Sequence, residues 1–261
     1  MKFESMKFIS SRDNPYFKFL KKLAHSSRER RKAGVMLLDG LHLLEACPQL
    51  EEVFVAASAA DKPEIAAWLA GHQNIKTLSL SDALFNELAA VDTPSGIMAL
   101  APLPQPGVPR NDVDSIVLDG VQDPGNLGSI LRSAAAAGCR QAILSADCAQ
   151  AWSPRALRAG QGAHFLLEIH EGQALPGFLA SYQGGTVTTA LDTDNDLFLT
   201  ALPSPLAWVF GAEGQGVSVE VAAAASLKVR IPMPGGSESL NVAAAAAICL
   251  FEAVRRRRLE D

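Results

Sequence analysis

The chain has no apolar run long enough to span a membrane. Its longest, residues 242–253, is Ala-rich and interrupted by Glu252, so it reads as a buried helix. The opening residues, MKFESMKFIS, lack the apolar core of a signal peptide, which makes the cytoplasm the expected compartment. Cysteine is sparse. Cys47, Cys139, Cys148 and Cys249 share no short paired spacing, which argues against a disulfide framework or a zinc site and for reduced, mostly packed thiols. His25, His42, His72, His164 and His170 are scattered, no cluster of His, Cys and carboxylates has ligand spacing, and no metal is expected. Neither a Walker nor a Rossmann fingerprint is present, which disfavours a generic nucleotide-binding domain, and there is no internal repeat.

What the chain does contain is ordinary globular composition, with 48% hydrophobic and 20% charged residues, so long disorder is not expected. Its 261 residues are enough for two ordinary domains, each with its own core. The net charge of −5 would weigh against a nucleic-acid partner, but it hides an asymmetry. Residues 1–32 hold ten Lys or Arg against three acids, and a second basic run occupies 255–258. Such segregation is the pattern of a basic face on an acidic protein, although either run alone could be solvated helix surface.

Hydrophobic periodicity divides the chain. A helix is predicted over 14–32, opened by Asn14-Pro15 and carrying Phe17, Leu20 and Leu23 on one side and basic residues on the other. Strands at 35–38, 52–56, 76–80 and 96–101 alternate with helices at 41–46, 63–70 and 82–89, a pattern of an α/β/α unit. The segment PLPQPGVPRNDVD, with four prolines and a glycine, is the best linker candidate. Beyond it, strands at 115–121, 141–144, 165–169, 186–190, 207–210 and 227–231 are separated by helices at 126–137, 154–161 and 175–182, with a long helix at 240–257. The division expected is a domain at 1–103, a linker at 104–113 and a domain at 114–261, the second an α/β fold with a mostly parallel sheet covered by helices on both faces.

Three segments of the second half carry chemistry. In DGVQDPGNLGSILRSAAAAG a strand ends at Asp119, Asn126 is placed at a helix cap, and Arg132 follows six residues on; by themselves these are a capping residue and a surface arginine. In WVFGAEGQG a strand runs into a Gly-rich turn, which alone signals little more than a tight reversal. In VRIPMPGGSESLNVAAAAAICLFEAVRR, Gly235 and Gly236 permit a sharp turn and Ser239 or Asn241 can cap a helix whose Ala face must lie close to something. Tight loops and helix N-termini at the end of a buried sheet are where α/β proteins build sites for small polar cofactors.

In this order and spacing the three segments resemble the motifs of the SpoU/TrmH branch of the SPOUT methyltransferases, which move a methyl group from S-adenosylmethionine to a ribose 2′-hydroxyl of RNA. The resemblance implies a trefoil knot in the second domain, a homodimer paired through it, and S-adenosylmethionine as cofactor. It implies Asn126, Arg132, Glu213, Ser239 and Asn241 as catalytic residues, with Arg132 acting on the RNA and Glu213 ordering the loops. It implies cofactor contacts at Gly211, Ile231, Met233 and Leu240. The N-terminal unit resembles the L30e-like substrate-binding domain often fused to these enzymes, with SSRDNP at its start and LLDGLHLLEA after the basic helix, although Asp39 stands where relatives usually have Glu. That domain tilts the expected substrate to ribosomal RNA, 23S in particular, over transfer RNA, with Arg12, Lys18, Lys21, Lys22, Arg28, Arg30 and Arg31 gripping it. A non-catalytic RNA-binding protein of the same fold would be expected to have damaged motifs, and all five residues are intact.

Overall fold

The apolar runs become two sheets in the computed structural model, which describes residues 6–89, 94–236 and 238–260. The first unit comprises the chain up to Gln105 together with Trp152–Phe165. Its elements are β1 (Lys7–Ile9), α1 (Pro15–His25), α2 (Ser27–Ala33), β2 (Val35–Asp39), α3 (Leu41–Ala46), β3 (Glu52–Ala56), α4 (Pro63–Gly71), β4 (Lys76–Leu80), α5 (Asp82–Leu88) and β5 (Ile97–Pro102). The sheet order is β1-β4-β3-β5-β2, with β5 antiparallel to β2 and β3 and the other pairings parallel. Val53, Phe54 and Val55 are wholly buried in the central β3, as expected of a strand with helices on both sides.

The basic stretch predicted as one helix over 14–32 is two. Asn14 caps α1 by accepting from the Tyr16 and Phe17 amides at 2.9 and 3.2 Å, and Phe17, Leu20 and Leu23 are buried. The break falls at Ser26, whose extended backbone ends α1 and whose hydroxyl caps α2 by accepting from the Glu29 amide. Ser26 and Glu29 have the spacing of a capping box, a start signal inside what periodicity alone reads as continuous helix.

The second unit comprises Pro106–Ala151 and Leu166–Asp261. It contains β6 (Ser115–Asp119), α6 (Pro124–Ala136), β7 (Gln141–Leu144), β8 (Glu168–His170), α8 (Leu175–Ser181), β9 (Gly185–Thr189), β10 (Leu206–Gly211), α9 (Val219–Ala224), β11 (Leu227–Val229) and α10 (Val242–Glu260). Between β7 and β8 the chain forms α7 (Pro154–Gly160), which was expected in this unit and packs with the first instead. There it lies against β2, with Arg158 paired to Asp39 at 3.3 Å, His42 bonded to the Gln161 carbonyl, and Ala156 and Leu157 buried.

All six strands of the second sheet are parallel, in the order β11-β9-β10-β6-β7-β8. Side-chain alternation divides them: Val117, Ile143 and Val209 pack beneath α8 and α9, while Trp208 turns toward Leu250 and Ala253 of α10. The Ala run lets α10 lie close along α6. Cys47, Cys139 and Cys249 are buried, and burial pushes the Cys139 thiol up to about 12. Among the described residues no helix is long and apolar enough to cross a membrane.

Candidate active site

The site forms at the carboxyl ends of β9 and β10, the edge at which parallel sheets bind ligands. β10 ends at Gly211, and the chain reverses so tightly that Ala212 and Gly216 exchange two backbone hydrogen bonds of 3.0 and 2.8 Å. A side chain at position 211 would put a carbon 2.0 Å from the Gly216 carbonyl carbon, so the turn itself demands glycine there. Asp119, at the end of β6, fixes the far side of the turn by accepting from the Ser218 amide at 2.8 Å.

Three motifs meet through side chains. Asn126 was expected to cap α6, but Asp123 does so, accepting the Asn126 amide at 2.7 Å with Pro124 in the first turn. That displacement leaves the Asn126 carboxamide free for longer contacts. Its Nδ2 donates to Glu213 Oε1 at 2.8 Å, and its Oδ1 accepts from Asn241 Nδ2 at 3.0 Å. Asn241 in turn caps α10, its Oδ1 accepting from the Ala243 and Ala244 amides at 2.9 and 3.3 Å. The helix therefore starts at Val242 and not at Leu240. One carboxylate and two carboxamides thus tie the Gly-rich turn to the N-termini of α6 and α10.

Beside this chain lies a cavity of about 740 Å³, within the range of small-molecule sites. Gly211, Ile231, Met233 and Leu240, the four residues expected to contact cofactor, all line it, as do Glu213 and Ser239. Asn126 and Asn241 stand behind Glu213 and are not in the wall. Arg132 is exposed on α6, about 120° around the helix from Asn126, and lies outside the cavity. Its guanidinium makes no hydrogen bond or ion pair among the described residues.

Sequence reasoning missed part of the wall: Thr188 and Thr189 at the end of β9, Asp192 after it, Lys228 of β11, and Glu238. The strand-end rule was the available signal for the residues after β9. The charges decide what the cavity can take. Asp192, Glu213 and Glu238 outnumber Lys228, which is itself 3.8 Å from Asp192, and the remaining wall is largely apolar. Such a lining suits a cationic ligand with an apolar ring and repels a polyphosphate.

The seven basic residues assigned to RNA divide sharply. Arg12 and Lys21 are both paired to Glu87, at 2.5 and 2.7 Å, and these contacts, Lys21 first, hold the Glu87 carboxyl below its usual range. Lys18 is paired to Asp13 at 2.9 Å. Arg30 is buried, donating from Nη1 to the Leu23 and Ala24 carbonyls at the end of α1, and burial lowers its pKa. Arg30 is therefore a structural strut, in correction of the expectation. Lys22, Arg28 and Arg31 remain exposed with no ion pair among the described residues.

Known proteins match over the whole of this architecture. The SpoU rRNA Methylase family matches residues 115–251, and the MRM3-like substrate binding domain matches residues 14–99. The 23S rRNA (guanosine(2553)-2′-O)-methyltransferase RlmP of Bacillus subtilis is 31% identical, over 94% of this chain and 98% of its own. A crystal structure described as an RNA 2′-O ribose methyltransferase superposes with a TM-score of 0.81 at 30% identity, covering 96% of this chain and 99% of that one. The SpoU methyltransferase AviRb of Streptomyces viridochromogenes, in complex with AdoMet, superposes with a TM-score of 0.82 at 26% identity, over 94% and 98% of the two chains. With its three motifs joined at one cavity and these matches along both halves, the chain belongs to the SpoU rRNA methylase family.

Proposed function

We propose that this protein transfers the methyl group of S-adenosylmethionine to a ribose 2′-hydroxyl of 23S ribosomal RNA. The observation that carries the reading is the hydrogen-bonded chain from Glu213 through Asn126 to Asn241 at the wall of a carboxylate-rich cavity. The residues present fit the cofactor: the carboxylate excess suits a sulfonium, and Ile231, Met233 and Leu240 offer apolar surface to an adenine ring. Bound there, S-adenosylmethionine supplies an electrophilic methyl group.

The protein's own work is positioning. Glu213, held by Asn126, stiffens the turn; Ser239 stands in the wall beside the reacting hydroxyl, and Asn241 steadies that corner through Asn126. Arg132 stays protonated and is a poor base. Its guanidinium instead holds phosphate or ribose by forked hydrogen bonds and stabilises charge developing on the 2′-oxygen. Because Arg132 lies outside its own chain's cavity, it serves the cavity of a second subunit in a homodimer formed through the second domain.

Lys22, Arg28 and Arg31 grip the RNA backbone. Residues 104–113 act as linker between the binding and methyltransferase domains, and the enzyme works in the cytoplasm without a metal. The chain after β11 is threaded as a trefoil knot; the backbone bonds that Arg230 makes with Asn195 and Leu197 hold it beside the loop before β10 and support this course. The test is transfer of labelled methyl from S-adenosylmethionine to unmodified ribosomal and transfer RNA, run beside Arg132→Ala. Label on ribosomal RNA that disappears in the variant is expected. Label on transfer RNA alone would overturn the substrate, and no label on either, with cofactor still bound, would overturn the activity.

A further inference from the structure

The first unit contains a second cavity, of about 290 Å³, whose wall includes Tyr16, Phe19, Glu52, Lys76 and Leu100. Glu52 is 5% exposed, yet its carboxylate is not neutralised by packing alone: Tyr16 donates its hydroxyl to Oε2, and Lys76 Nζ lies 2.5 Å from Oε1. The Lys76 side chain is itself largely exposed, and its ammonium stands 5.2 Å from the centre of the Tyr16 ring. Phe19 is 40% exposed, with its centre 6.0 Å from that of Tyr16. An ammonium donor and a carboxylate acceptor therefore sit side by side under an exposed aromatic face.

We propose that this cavity receives a guanine base of single-stranded RNA, stacked on Phe19 and read along its Watson–Crick edge by Lys76 and Glu52. That edge presents one acceptor, O6, followed by two donors, N1–H and N2–H, and an ammonium beside a carboxylate is its complement. Uracil presents one donor between two acceptors, cytosine one donor beside two acceptors and adenine one donor beside one acceptor, so each gives the carboxylate a single hydrogen bond where guanine gives two. The base comes from RNA and not from a free nucleotide because the rim carries charge for neighbouring phosphates. Lys22 follows Phe19 by one helical turn, and Arg31 and Lys32 precede Ala33, which lines the cavity; all three are exposed and outnumber Glu51, the exposed carboxylate of the wall.

The inference rests on RNA being the substrate, and it places a specificity pocket apart from the cofactor site. The test is binding of the full chain to the pentanucleotides UUGUU, UUAUU, UUCUU and UUUUU, followed by fluorescence anisotropy, with guanosine monophosphate as competitor. UUGUU is expected to bind about tenfold more tightly than the others, Phe19→Ala to weaken UUGUU about tenfold, and Lys76→Met to erase the preference. Phe19→Ala should leave thermal unfolding unchanged, whereas Lys76→Met removes the partner of the buried Glu52 and should lower it, so the affinities are compared well below the transition of each variant. Equal affinity for the four, or a preference that survives Lys76→Met, overturns the proposal. Competition by the mononucleotide as strong as by UUGUU overturns the RNA source. Methyl transfer to ribosomal RNA is measured on the same preparations, so that transfer without guanine preference sinks only this pocket, and preference without transfer sinks only the activity.

Discussion

Asn126 is the residue on which the site turns, because among the described residues it alone is bonded to both Glu213 and Asn241. Asn126→Ala removes a hydrogen bond to a carboxylate, worth about 1.5–3 kcal/mol, and should lower methyl transfer roughly 10- to 150-fold. Since Asp123 supplies the cap of α6, thermal unfolding should move little. A variant that unfolds far earlier but, when folded, transfers methyl normally would show that Asn126 is scaffolding only. A second contrast separates two adjacent arginines. Arg30→Ala leaves the carbonyls of Leu23 and Ala24 without a buried charged donor and should cost about 1.5–3 kcal/mol in urea unfolding. Arg31→Ala should leave stability unchanged and reduce the salt slope of RNA binding by about 1. The sequence alone could not distinguish them, because a basic run gives no sign of which member folds back on its own helix.

At the level of elements, most of the architecture was legible because β3, β6, β7 and β10 are short apolar runs bounded by turn residues. Strand direction was not: periodicity is the same for the antiparallel β5 as for its parallel neighbours. β1, a three-residue edge strand, and α9, a six-residue helix, escaped notice. The cap of α6 was misplaced between two good cap residues, although Pro124 at the first helical position pointed to Asp123. The last turns of α10 carry their own pH signature. Arg255 lies 2.7 Å and Arg256 2.6 Å from the buried Glu252 carboxylate, which they hold down to about 2 from an ordinary 4.5, and Arg256 also donates to the Leu197 carbonyl. A depressed carboxylate stabilises the fold fully above its unfolded value and loses that contribution as pH falls through the folded one. Glu252→Gln should therefore be less stable than the wild type at neutral pH, with the gap closing between pH 4.5 and about 2. Urea unfolding across that window reads it, and a gap independent of pH would assign the contribution to packing.

For the molecule as a whole, the four cofactor contacts inferred from the motifs converge on one cavity, whereas Arg132, from the same motifs, does not reach it. A sequence motif records which residues are needed, and not which copy of the chain supplies each one. If Arg132 acts across a two-fold axis, each complete site takes its cavity from one subunit and its guanidinium from the other. Arg132→Ala keeps the cavity and lacks the arginine; Leu240→Arg keeps the arginine and fills the cavity. Each homodimer should be inactive. When the two are mixed and allowed to exchange, half the dimers are heterodimers, and each of these regains one intact site, so activity should recover to roughly a quarter of the wild-type level per chain. Were Arg132 to serve its own subunit, every site in the heterodimer would carry one lesion and the mixture would stay inactive. Native mass spectrometry of the mixed sample confirms that exchange has taken place, which makes silence in the assay as decisive as recovery.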